Sequence, residues 1–74
     1  MFQNKQHVGE GRTIGRKRRM VGLTQHHLAR ESKVPVQRIT YFETGRLLLE
    51  PDEIDRIRKA LKNRAQKAMD SVSA

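Results

Sequence analysis

At 74 residues, 35% of them hydrophobic and none of them Trp, the chain allows one domain whose small core must be aliphatic. It has no cysteine, which excludes a disulfide framework and a thiolate metal site. A net charge of +8 and a pI near 10.9 favour a polyanionic partner.

The charge is uneven. Residues 1–46 hold ten Lys/Arg against three acids, a balance of +7, whereas residues 47–74 hold six against five, a balance of +1. A basic surface serving solubility alone explains the sum but not the split, so nucleic acid is the first expectation. No apolar run approaches membrane-spanning length and the N-terminus lacks a signal-peptide core, so a cytoplasmic location is expected.

Residues 1–12 (MFQNKQHVGEGR) show no periodicity and carry two late glycines, which reads as a flexible basic arm. Thr13 is a suitable N-cap for a first helix over Ile14 to Val21, ended by Gly22. Arg18 falls on the stripe that Ile14 and Val21 define, and a charge there needs a partner. The run Arg16 to Arg19 reads as a solvated or phosphate-facing surface rather than a targeting tract.

Thr24 is placed to cap a second helix, Gln25 to about Ser32, with Gln25, Leu28, Ala29 and Ser32 on its inner stripe. His26 and His27 point about 100° apart on a helix and cannot chelate one metal comfortably, so no metal site is expected. A third helix is predicted over 35–44, opened by Pro35 and closed by a left-handed Gly45. Val36, Ile39, Phe42 and Glu43 face inward; Gln37, Arg38, Thr40 and Tyr41 face outward and suit base-edge or phosphate contacts.

Leu47 to Leu49 form a short apolar run that either finishes the core or makes a dimer surface. Pro51, Asp52 and Glu53 then signal a helix start, and Ile54, Ile57, Leu61, Ala65 and Ala68 continue at steps of three and four. This helix is predicted to Leu61, extending as far as Met69, with Ser71 to Ala74 frayed. The Ala65/Ala68/Met69 side is a second candidate dimer surface.

The pattern Ile14-x3-Arg18-x3-Gly22-Leu23-Thr24-Gln25-x2-Leu28-Ala29-x4-Val34-x4-Ile39-x3-Glu43-x-Gly45 resembles the Cro/repressor-type (Xre-type) helix-turn-helix family. The Ala60-Leu61 pair also falls where that family ends its fourth helix, so the likeness covers residues 13–62. It implies an all-α, compact four- to five-helix lambda-repressor-like DNA-binding domain, with 63–74 as a helical extension or tail.

The resemblance also implies roles. Arg18 would pair with Glu43. Val36, Gln37, Arg38 and Tyr41 would lie at base edges, and Arg16, Gln25, Lys33, Thr40 and Arg46 at phosphates. There are departures from the family pattern. Lys33 stands where glycine is usual, which predicts a left-handed lysine. Pro35 replaces the usual Ser or Thr cap, Lys17 replaces an apolar residue, and Pro51 comes late.

The resulting expectation is a sequence-specific regulator of transcription, acting by repression, that binds double-stranded DNA as a homodimer on a palindromic operator. The competing reading is an antitoxin-like or phage regulatory module that binds a protein partner, with DNA binding secondary. No pair of carboxylates, activated nucleophile, metal spacing or phosphate-cradling glycine loop is found, so neither an enzyme nor a cofactor is expected.

Overall fold

A computed structural model describes the backbone of residues 2–73 and the side chains of residues 9–67. The described residues form four helices and no strand: α1 (Phe2–Met20), α2 (Gln25–Ser32), α3 (Val36–Glu43) and α4 (Pro51–Ser73). No helix is long and apolar enough to cross a membrane.

The largest departure from the sequence reading is α1. It starts at Phe2, so the stretch expected to be an arm is helical, and Thr13 is inside the helix rather than capping it. The Thr13 hydroxyl instead donates to the carbonyl of Gly9, four residues back (3.0 Å). Glycine is a poor helix former, at about 1 kcal/mol below Ala, and tertiary contact outweighs it here. Gly11 and Gly15 lie one turn apart on the face that meets α3. A Cβ on Gly11 would run into the carbonyl oxygen of Phe42, and one on Gly15 would lie 3.1 Å from Glu43 Oε1. The two glycines are the contact surface of α1, not a hinge.

Two of the helices end in the same way. After α1, Leu23 N–H donates to Arg18 O (3.0 Å) across Gly22 at φ 78°. After α3, Arg46 N–H donates to Tyr41 O (2.7 Å) and Gly45 N–H to Phe42 O (3.1 Å), with Gly45 at φ 79°. Both are Schellman turns, which need a left-handed residue that glycine adopts without strain. α2 begins as expected, the Thr24 hydroxyl accepting from His27 N–H (3.0 Å). It ends at Lys33, and Arg56 of α4 donates from Nε to the Ser32 carbonyl (2.9 Å), satisfying a helix-end acceptor.

The core lies where the four helices converge. Leu28, Ile39, Phe42 and Ile57 are fully buried, each contributing about 1.5–3 kcal/mol by burial. Ile14, Leu23 and Val34 close it from α1 and the turns; Ile54, Ala60 and Leu61 close it from α4. Leu49 is also buried and Leu47 packs against the core, leaving only Leu48 exposed. Leu47 and Leu49 of the run therefore help complete the core, one of its two expected roles. α4 continues past Leu61 to Ser73, beyond the predicted end and through the stretch expected to fray. In the second dimer candidate, Ala65 is half-buried, and the side chains of Ala68 and Met69 lie outside the described residues.

Candidate nucleic-acid interface

α2 and α3 are joined by Lys33, Val34 and Pro35. Lys33 has φ 60° and ψ 33°, the left-handed conformation expected of it. Val34 is buried and anchors the turn, and Pro35 supplies the extended backbone from which α3 starts without a side-chain cap.

The inner side of α3 is fixed by one carboxylate. Arg18 donates from Nε to Glu43 Oε2 (2.8 Å) and from its second amino group to Oε1 (3.0 Å), and its third donor reaches the Leu23 carbonyl (2.9 Å). The two side chains are only 10% and 6% exposed, so this bidentate, charge-assisted pair is shielded from water. Gln25 Nε2 donates to the same Oε1 (3.0 Å), and the Thr40 hydroxyl donates to Gln25 Oε1 (2.8 Å). Glu43 thus ties α3 to α1 and α2 together.

This chain of bonds changes the place of two residues expected at phosphates. Gln25 and Thr40 are half-buried and spend polar atoms on each other and on Glu43. Arg38, expected near base edges, is also engaged. It donates from Nε and an amino nitrogen to the two oxygens of Glu53 (3.0 and 2.7 Å). Glu53 in turn accepts from Glu50 N–H (2.9 Å), half of a capping box that starts α4. The hydrogen bond from Arg38 holds the Glu53 carboxyl below the usual carboxylate range despite opposing desolvation, and Glu53 raises Arg38.

The residues left facing solvent on α3 are Gln37 and Tyr41, with the C-cap Thr44 following them at steps of four and three on one face. Gln37 Nε2 donates to the Tyr41 hydroxyl (3.1 Å), and Val36 is half-buried at the start of the same helix. Lys33 before this face and Arg46 after it are exposed and form no ion pair among the described residues.

Arg16 is exposed on α1, and the longer helix adds Arg12, which the sequence placed in the arm, to the basic run. Arg12, Arg16 and Arg19 recur at steps of four and three, along one exposed flank, with no ion pair among the described residues. Glu10, on the opposite flank, pairs with Arg58 of α4. The signal that could have found this flank is the Gly11-x3-Gly15-x2-Arg18 spacing, which places both glycines and the buried arginine on one helical face.

No set of three or more His, Cys, Asp or Glu side chains is placed to hold a metal ion among the described residues. His27 lies 3.7 Å from Glu31, one turn on along α2. No protein-family model, no curated protein and no solved structure matches this chain.

Proposed function

We propose that this protein is a sequence-specific, double-stranded DNA-binding regulator of transcription that acts as a repressor. The observation that carries the reading is the outer face of α3. Gln37, Tyr41 and Thr44 stand in line with cations at both ends, Lys33 and Arg46, that are unpaired among the described residues, while the opposite side of the helix is held by Glu43. A helix with side chains is roughly 10–12 Å across, which suits a major groove roughly 12 Å wide.

In this mechanism no bond is made or broken. Lys33, Arg46 and Arg16 neutralise phosphates and release counterions, giving affinity for any sequence. Gln37 supplies direct readout, a glutamine amide being able to pair bidentately with adenine. Tyr41 and the half-buried Val36 add contacts beside it, and Val36 can meet only a thymine methyl. Gln25 retains one amide hydrogen for a phosphate after its bond to Glu43. Two copies related by a two-fold axis would read half-sites about 34 Å apart, and occupying such an operator blocks a promoter.

The test is selection of binding sites from random duplex DNA with the full chain, followed by affinity across a salt series. Enrichment of an inverted repeat with half-sites one turn apart is expected. Gln37→Ala should relax preference at one position, whereas Lys33→Ala should weaken every sequence and reduce the salt slope by about one. Weak binding with no enriched sequence, governed wholly by salt, would sink the proposal.

A further inference from the structure

An open groove of about 510 Å³ lies between α1 and α4, away from the face of α3 described above. Its floor is apolar: Ile14 and Val21 from α1, Leu61 and Ala65 from α4. Met20 stands at its edge and is 78% exposed, the most solvated large hydrophobic side chain among the described residues. Lys17 and Lys62 form the rim, both exposed and both without an acidic partner among the described residues. The Arg58–Glu10 pair links the two helices beside the groove.

Lys17 keeps its ammonium group in water and its stem along the wall. The groove is lined at helical spacing on both sides, from Ile14 to Val21 and from Arg58 to Ala65. Seven residues advance about 10 Å along a helix axis, so each wall presents roughly two turns.

We propose that this groove docks an amphipathic helix of a partner protein, with an apolar stripe for the floor and acidic residues for Lys17 and Lys62. The charge pattern selects that occupant. A second copy of this chain would bring a second set of the same rim cations to the seam, and the nearby carboxylate of Glu10 is already taken by Arg58. Nucleic acid gains nothing from an apolar floor, and the free arginines of α1 lie on the other flank. An acidic amphipathic helix satisfies both features at once: its stripe covers the floor and Met20, whose flexible thioether adapts to it, and its carboxylates neutralise the rim. This inference stands whether or not the chain binds DNA.

The test uses the full chain and a fluorescent peptide of about 14 residues with leucines at helical spacing flanked by glutamates. Two controls accompany it, a scrambled peptide of the same composition and the same pattern with lysine in place of glutamate. Saturable binding of the patterned acidic peptide is expected, with amide shifts at Ile14, Met20 and Leu61. Lys17→Gln/Lys62→Gln should weaken it by about tenfold, and Ala65→Glu should block it. The lysines are exposed, so the double variant retains its fold, which far-ultraviolet circular dichroism checks. Equal binding of the scrambled peptide, or shifts confined to α3, would overturn the proposal. So would displacement of the peptide by phosphatidylglycerol vesicles, which assigns the groove to lipid, or a chain dimer broken by Ala65→Glu, which assigns it to a second copy.

Discussion

Gly11 lies against the carbonyl oxygen of Phe42 so closely that no side chain fits between them. The contact sets the distance between α1 and the C-terminal end of α3, and it depends on a residue that weakens the helix carrying it. Gly9, half a turn away, has nothing within 4 Å of where its Cβ would be. The two glycines therefore respond to the same substitution with opposite sign. Gly9→Ala should stabilise by about 0.5–1 kcal/mol through helix propensity. Gly11→Ala should destabilise by about 1–3 kcal/mol by pushing the helices apart. Gly15→Ala should fall between, because Glu43 is held in place and can give only slightly. Urea unfolding of the three variants checks the order; a neutral Gly11→Ala would mean that residues 9–12 are an arm after all.

Removing the carboxylate of Glu43 should be among the most damaging single changes. Glu43→Ala leaves the Arg18 guanidinium shielded from water without its counter-charge, and Gln25 without its acceptor. A loss of about 3–5 kcal/mol is expected. Arg18→Met/Glu43→Met should lose less than either single change, since no uncompensated charge remains. Additive losses in this double-mutant cycle would show that the two residues act separately.

If the proposed DNA contact of Lys33 holds, stability and DNA affinity can be moved in opposite directions at this residue. A left-handed lysine costs about 1 kcal/mol relative to glycine. Lys33→Gly should raise the unfolding midpoint while lowering affinity for every duplex tested, because the same change deletes a cation beside α3. If affinity is unchanged, Lys33 does not contact phosphate.

Glu53 should contribute a recognisable part of the acid sensitivity. Its carboxyl titrates below the usual range in the folded chain, chiefly because Arg38 donates to it. A group with a lowered folded pKa stabilises the fold above its unfolded value of about 4.3. That contribution falls away as pH drops from about 5 through the folded value. The stability gap between the unaltered chain and Glu53→Gln should therefore be constant near neutrality and close progressively in acid. A gap that stays the same from neutral pH to pH ~3 would remove Glu53 from the account.

The features legible in the residues alone have local causes. Gly22 marked the end of α1, Thr24 the start of α2, and Pro35 and Gly45 the two ends of α3, each to within a residue or two, since caps and turns depend on neighbours a few positions apart. The inner and outer faces of α3 were equally legible from helical spacing, and so was the need of Arg18 for a partner. Only the tertiary structure decided how far α1 extends and which polar groups remain free. Glycine at 9 and 11 looks the same locally in a loose arm and in a close helix contact; Phe42, more than 30 residues along the chain from Gly11, distinguishes them. Arg38 and Glu53 are 15 residues apart, Gln25 and Glu43 are 18 apart, and no local rule pairs them. Outward-facing polarity could therefore be read from the periodicity, but the engagement of Arg38 and Thr40 in internal bonds, and the particular partners of Gln25, could not, because those partners arrive only when the helices pack.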